Sequence, residues 1–398
     1  MQRRTFLKGM AALPALASVT LSGRLFAAPA GSPYYLLVFL RGGFDCNHLL
    51  VPWSSDFYYA SRPTLALPRP DGSATGSLRL DDRWALAPSL REQYAPLYEK
   101  RQLAFVPFAG TNDLSRSHFE TQDHIERGLG PDAGHARRSG FMARLAGVLR
   151  ERGRAIAFTR SLPLSFEGGG DIPNLSLGGN LRAGFNPRQS AELERMYAGT
   201  ALADTVREGL DLRRQAASDI QREMQLAGRG AIDPNAFARQ TQRIASMMRD
   251  RFRLGFVDVG GWDTHVGQGG VDGALARRLQ YLSTGLAAFA GAMGTDWKNT
   301  VVTVVSEFGR TFRENGNGGT DHGHGTVYTF LGGAVRGGRI LGEQLEVTRA
   351  NLLQDRDYRV LNDDRAILGG LFTRLWGLDR KRLDTVFPGA APRDIGLA

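Results

Sequence analysis

Cysteine is almost absent: Cys46 is the only one in 398 residues. That excludes an intramolecular disulfide framework and any metal cage made of cysteines alone. Lysine is nearly as scarce, with Lys8, Lys100, Lys298 and Lys381 the whole set, so the basic charge is carried by arginine. Beyond residue 30 no uninterrupted apolar run reaches the ~18 residues of a membrane-spanning helix, so no span is expected in the mature chain. The basic residues are scattered among acids and form no nucleic-acid-binding module, so nucleic acid is not an expected partner. Hydrophobic residues are 42% and charged residues 23%, within the ordinary globular range, which excludes wholesale disorder. Glycine is plentiful, at 50 residues. The length accommodates one large α/β domain or two to three smaller ones.

The first thirty residues read as an address. Arg3-Arg4-Thr5-Phe6-Leu7-Lys8 is a twin-arginine pattern, followed by an apolar run from Met10 to Leu21 and the small residues Ala27, Ala28 and Ala30. This layout predicts an export signal and a periplasmic mature protein. The segment holds Arg3, Arg4, Lys8 and Arg24 and no acid, so its removal lowers the formal charge from +10 to +6 (10 − 4). In an oxidising compartment a lone cysteine is either buried or reactive, and burial is expected for Cys46.

Residues 31–398 are expected to form a single domain. Tyr34–Leu40 is a continuous apolar run that stops at Arg41-Gly42-Gly43, the pattern of a strand buried on both faces. Val301–Val305 is a second, and Leu103–Pro107, Leu254–Val259 and Val327–Leu331 are further candidates. Leu275, Leu279, Leu282, Leu286 and Phe289 recur at helical spacing just before the Val301 run. Strand, helix and strand in that order predict crossover units. The fold class is therefore α/β, a doubly wound, mostly parallel sheet with helices on both faces. Residues 61–82 are expected to be a surface loop, and the polar stretch around 190–250 a helical insertion.

Ligands of parallel α/β sheets bind outside the carboxyl ends of the strands. Four segments placed at candidate strand ends carry residues suited to a metal. They are Asp45-Cys46-Asn47-His48, Asp263-Thr264-His265, Ser306-Glu307-Phe308-Gly309-Arg310 and Thr320-Asp321-His322-Gly323-His324-Gly325. Only seven histidines exist, His48, His118, His124, His135, His265, His322 and His324, and four of them fall in these segments. A mixed His/Asp/Glu set suits zinc first, then manganese or iron. Glu307 ends a buried run, where a carboxylate needs a partner or a site. A fifth segment, Asn112–Asp123, leaves two readings open: Ser117 as a nucleophile, or a serine helix cap with His118 turned into the site. Arg41 and Arg310 are placed to clamp an anionic group.

Gly42-Gly43-Phe44-Asp45, Ser117-His118-Phe119-Glu120, Gly260-Gly261-Trp262-Asp263-Thr264-His265, Ser306-Glu307-Phe308-Gly309-Arg310-Thr311 and Gly319–Gly325 together resemble the DUF1501 family. That family is assigned to the alkaline phosphatase and sulfatase superfamily. The resemblance covers nearly all of residues 34–370 and implies an alkaline phosphatase-like fold with a metal site at the carboxyl edge. It also shows departures. The first strand of the superfamily usually runs directly into a metal-binding aspartate, where this chain has Arg41. A late Asp-His-Gly of the superfamily corresponds here to Glu307-Phe308-Gly309.

The expected function is an exported metal-dependent hydrolase of phosphate or sulfate esters, acting on an anionic small molecule or polymer. Asp263, His265, His322 and His324 would hold the principal metal, with Asp321 beside them and Asp45 and Glu307 completing or neighbouring it. Arg310 would orient the anionic group, and Ser117 or an activated water would attack. The alternative is a non-catalytic envelope protein that keeps the fold and one structural metal, with a protein partner.

Overall fold

The structure, a computed structural model, describes residues 32–131, 139–151, 154–170, 172–177 and 228–398. Its centre is an eight-stranded sheet. The strands are β1 (Tyr34–Leu40), β2 (Leu103–Gly110), β3 (Ala155–Ala157), β4 (Leu254–Val259), β5 (Thr300–Ser306), β6 (Thr326–Leu331), β7 (Arg339–Ile340) and β8 (Asn362–Asp363). Their order across the sheet is β7-β2-β6-β5-β1-β4-β3, with β8 also paired to β2. β1 lies in the middle, parallel to β4 on one side and to β5 on the other, with Leu40 opposite Val259 and Ser306.

The continuous apolar runs follow from burial on two faces. Along β1, Leu36, Val38 and Leu40 enter one core while Tyr35, Leu37 and Phe39 enter the other. The first core is closed by two helices, α3 (Pro234–Asp250) and α4 (Ala274–Met293), through Phe237, Ile244, Met248, Leu279, Leu286 and Phe289. The second is closed by α2 (Phe141–Leu149) and α5 (Asp364–Trp376), through Phe141, Leu145, Leu368 and Phe372. Phe141 and Phe372 both stack on Phe387, with centroids 5.2 and 5.8 Å away. The expected doubly wound α/β architecture is therefore the observed one.

Four details refine the expectations. β6 runs antiparallel to both of its neighbours, β5 and β2. β5 ends at the carboxyl edge and the chain loops there through residues 307–325, so the next strand starts from that edge and runs back without a crossover. The segment Thr320–Gly325 thus enters a strand instead of leaving one. β2 extends to Gly110, with its register shifted between Val106 and Ala109, where Phe108 takes a positive φ of 53°. Of the stretch 190–250, residues 190–227 lie outside the described residues. α3 belongs to the helical layer on the sheet: Asp233 caps it and its Phe237-Thr241-Ile244-Ala245-Met248 face is buried. Within 61–82, Leu78–Arg79 forms an edge strand of a small antiparallel sheet with Ala85–Leu86 and Leu50–Val51.

The turns after β1 and β4 share the form Gly-Gly-aromatic-Asp and pack on one another. Phe44 meets Trp262 edge to face at 6.2 Å, and the Trp262 indole N–H donates to the Val259 carbonyl at 2.8 Å. Gly42 has φ +122°, and a Cβ there would stand 2.7 Å from the Asp263 backbone nitrogen. Gly42→Ala is expected to destabilise the protein by about 1–3 kcal/mol from backbone strain alone, with the collision at Asp263 added. Chemical denaturation checks this, and an unchanged midpoint would contradict the close-approach account.

Candidate metal centre

The helix α1 (His118–Arg127) begins just beyond β2 at the carboxyl edge. Ser117 is its N-cap, accepting from the Glu120 N–H, and Gly128 ends it at φ +58°. His118, Gln122 and Glu126 follow one another at i, i+4 and i+8, so they share a helix face. All three are buried. The turn after β4 supplies Asp263 and His265. The loop between β5 and β6 supplies Glu307, Arg310, Asp321 and His322. An isolated antiparallel bridge between Arg310 and His322 folds this loop back over the site.

Three imidazoles and one carboxylate converge there. His118 Nε2 and His265 Nε2 each lie 3.0 Å from His322 Nε2. Asp263 Oδ1 is 2.9 Å from His265 Nε2 and 3.4 Å from His322 Nε2, while its Oδ2 is 3.5 Å from His118 Nε2.

The opposite nitrogen of each ring identifies the tautomer. His118 Nδ1 faces Glu307 Oε1 at 2.8 Å, His265 Nδ1 faces Asp321 Oδ1 at 3.1 Å, and His322 Nδ1 faces the Arg116 carbonyl at 3.2 Å. Ionised carboxylates and carbonyls only accept, so each Nδ1 carries a hydrogen and each neutral ring presents a lone pair at Nε2. A lone pair on His322 cannot sit 3.0 Å from those of His118 and His265, with a carboxylate 2.9–3.5 Å from all three, without positive charge among them. Protons can supply it; so can a metal ion held by His118, Asp263 and His322, whose ligand atoms all lie within 4.8 Å of one another, with His265 beside them. The buried Asp263 Oδ2 has no hydrogen-bond donor, and the oxygen partners behind the rings are what metal-binding histidines ordinarily have. The donor set therefore fits a divalent ion of the zinc, manganese or iron type.

Without a metal ion, a proton on His118 supplies that charge. Burial opposes charge on His118, yet Asp263 and Glu307 raise its pKa to about 9. Burial would raise Asp263, but the three histidines and Arg310 hold it far below the usual carboxylate range. Glu307 is buried too, and His118 with Gln122 lowers it to about 2. In His322 burial dominates and lowers the pKa.

The other expected site residues are distributed as follows. Glu307 stands behind His118, accepting also from the Gly42 N–H at 2.7 Å and Ser306 Oγ at 2.9 Å. Asp321 stands behind His265 and is half exposed. Asp45 is not joined to the histidine cluster: Arg62 donates to it at 2.5 and 3.1 Å and Gln268 at 2.6 Å. His324 is turned away, toward the Asp113 backbone and Arg116, and burial lowers its pKa to about 4. Successive residues of an extended segment point to opposite sides, while His322 and His324 flank Gly323 in a loop where only His322 reaches the other rings. Arg310 has a fully buried side chain and donates to Asp263 Oδ1 at 2.5 Å and to Thr320, so it anchors Asp263 instead of reaching outward. Ser117 serves as the helix cap. Arg41 is buried against Asp258, Glu126 and Gln122 and is likewise unavailable to an outside anion. Cys46 is buried, and burial with the neighbouring Asp45 pushes its thiol up to about 12. His135 lies outside the described residues.

His118 completes the donor set in place of His324. A spacing of His118, Gln122 and Glu126 that buries a polar helix stripe was the signal for it. Gln268 was not singled out, yet it joins the Asp45 cluster to this one. It donates to Asp45, and its Oε1 accepts from Thr264 at 2.7 Å and Thr320 at 3.1 Å.

Fold and site together define an α/β protein with a histidine–aspartate cluster at the carboxyl edge of its sheet. The chain belongs to the family described as "Protein of unknown function (DUF1501)", whose profile matches residues 34–387. No curated protein matches the sequence. Among solved structures, a protein in the alkaline phosphatase superfamily from Vibrio parahaemolyticus is 11% identical, with 76% of this chain and 60% of that chain covered and a TM-score of 0.35. The lipoteichoic acid synthase LtaP from Listeria monocytogenes is 8% identical over 93% of this chain and 77% of its own, with a TM-score of 0.44. A 2-O GAG sulfatase is 9% identical over 91% and 76%, with a TM-score of 0.38. The chain thus spans 60% of the length of the Vibrio protein.

Substitution separates the two buried clusters. His118→Ala is expected to lower zinc affinity by at least about 100-fold, and His324→Ala to leave it within a few-fold. Asp45→Ala is expected to cost about 3–5 kcal/mol by stranding Arg62 without changing the metal-to-protein ratio. Folding lowers the pKa of Asp45, with Arg62 and His48 overcoming its burial. The pair's contribution is therefore complete above the ordinary carboxylate pKa of ~3.9 and is lost as pH falls below it. Chelator competition and denaturation at pH 7 and pH 3 read these outcomes.

Proposed function

We propose that this chain is a metal-dependent hydrolase of phosphate or sulfate esters, exported through the twin-arginine signal at residues 1–30. The observation that carries the reading is the convergence of His118, His265 and His322 Nε2 on Asp263, with each Nδ1 bonded to an oxygen. These four residues would hold the ion, zinc first, with manganese or iron as alternatives. When bound, the ion supplies Lewis-acid polarisation of an ester oxygen and stabilises negative charge.

The remaining roles belong to the chain. His118 and Asp263 form the buried floor, whereas the side chains of His265 and His322 are each 15% exposed, so substrate approaches from their side. Arg356 lies on that side, exposed, and donates to the His322 carbonyl at 2.8 Å. Arg116 provides the His322 Nδ1 acceptor through its backbone and pairs with Asp357 through its side chain. Two guanidiniums share one buried carboxylate there, and the exposed Arg356 is suited to meet an anionic ester. Asp321 and Asn315, hydrogen-bonded at 3.1 Å, keep the His265 ring in place.

One observation favours a second reading, a metal-bearing envelope binding protein without turnover. The hydroxyls nearest the cluster are committed elsewhere: Ser117 to the helix cap, Ser306 to the Leu40 carbonyl and Glu307, and Thr264 and Thr320 to Gln268. Among the described residues, no helix is long and apolar enough to cross a membrane.

Assay of the zinc-loaded full chain against aryl phosphate and aryl sulfate esters decides between these readings. The hydrolase predicts turnover that falls to background in His265→Ala. It also predicts a raised KM with little change in kcat for Arg356→Ala, the mark of lost uniform binding. Bound metal with no turnover across the panel would select the binding protein.

A further inference from the structure

Behind the His118 ring lies a buried polar chain. Glu307 Oε1, which accepts from His118 Nδ1 at 2.8 Å, also accepts from Gln122 Nε2 at 2.8 Å. Gln122 Oε1 in turn accepts from Arg41 Nη1 at 2.9 Å. Arg41 is held by Asp258 through Nε at 2.8 Å and by Glu126 through Nη1 at 2.9 Å. Glu126 is fixed by the Ser165 N–H at 3.0 Å and Ser165 Oγ at 3.2 Å. Gln122 and Glu126 have no exposed surface, and Arg41 is 2% exposed.

The amide of Gln122 has one permitted orientation. A guanidinium faces its oxygen and a carboxylate faces its nitrogen, so a flipped amide would set donor against donor and acceptor against acceptor. Its spacing from His118 is four residues on one helix, which keeps the amide alongside the ring it serves. Hydrogen-bond chains in a low-dielectric interior polarise one another, and an unpaired member is costly. Removing Gln122 would therefore leave Glu307 one donor short, with only His118 Nδ1 and the Gly42 N–H on Oε1 and Ser306 Oγ on Oε2, and less firmly fixed beside the ring.

We infer that Gln122 is a positioning residue of the metal centre: it passes the charge of Arg41 to Glu307 and so fixes the His118 ring with Nε2 aimed at the ion. It bonds to Glu307 and to Arg41, and its effect on the centre travels through Glu307. The inference rests on the metal-centre reading above. Partners behind a ligand of this kind change metal affinity by about 10–100-fold when removed.

The test compares the full wild-type chain with Gln122→Met and Gln122→Glu. Methionine keeps the volume and removes both hydrogen bonds. Glutamate keeps an acceptor for Arg41 but replaces the N–H that Glu307 accepts with a second carboxyl, which repels Glu307 from its place behind His118. Zinc affinity is measured by chelator competition, the visible spectrum is recorded after cobalt loading, and thermal unfolding is followed without metal. The expected result is zinc binding weaker by about tenfold or more in both variants, with an altered cobalt spectrum. A purely structural role would lower the metal-free unfolding temperature and leave affinity and spectrum alone, and that result overturns the inference. Should Gln122→Met fail to fold, wild-type affinity and spectrum in Gln122→Glu overturn it equally. Absence of zinc and cobalt binding by the wild-type chain would instead refute the metal centre itself.

Discussion

Everything at the carboxyl edge depends on the mutual approach of four acceptors. His322 Nε2 lies within hydrogen-bonding distance of the Nε2 atoms of His118 and His265, the Asp263 carboxylate stands 2.9–3.5 Å from all three, and the opposite side of each ring is already committed to an oxygen acceptor. Such a group is repulsive unless a cation or protons sit inside it. Its geometry is held from outside, by the two Gly-Gly-aromatic-Asp turns, the helix α1 and the loop folded back by the Arg310–His322 bridge. The stability of the sheet is thus partly spent on keeping like groups together.

Buried arginines are the means. Arg310 holds Asp263, Arg62 holds Asp45, and Arg41 is held between Asp258 and Glu126. Arg41 and Arg310 follow strand ends and Arg62 follows the short helix Asp56–Ser61, and each is turned inward. Arginine suits this use because its planar fork satisfies two or three acceptors in fixed directions and it stays charged when buried. Gln268 and Gln122 then link these pairs to the cluster, one through Thr320 and Arg310, the other through Glu307. Neutral amides join charged groups here without adding a further charge to the interior.

Much of the fold was legible in the sequence because burial on both faces writes an unbroken apolar run. Tyr34–Leu40 and Leu254–Val259 are strands over those bounds, and Val301–Val305 lies within the strand Thr300–Ser306. The direction of β6 was not legible, because an apolar run of six residues reads the same forward and backward and only the path of the 307–325 loop decides it. At the site, the carboxyl-edge rule placed Asp263, His265, Glu307 and His322 in one region. It could not choose between His322 and His324, which differ only in the side of a glycine they occupy. Nor could it tell whether a strand-end arginine faces solvent or an acid: the partners of Arg41 are 85 and 217 positions away (126 − 41, 258 − 41). His118 was legible as one of two readings, and the buried Gln122 and Glu126 on its face decide between them.

X-ray absorption at the zinc edge of the loaded full chain tests the central claim most directly, since it reports the ligand atoms themselves. The account predicts a first shell of three imidazole nitrogens and one carboxylate oxygen at about 2.0–2.2 Å, with the outer-ring scattering of three histidines lost by one ring in His118→Ala. A shell without imidazole scattering, or one that is unchanged in His118→Ala, would contradict it.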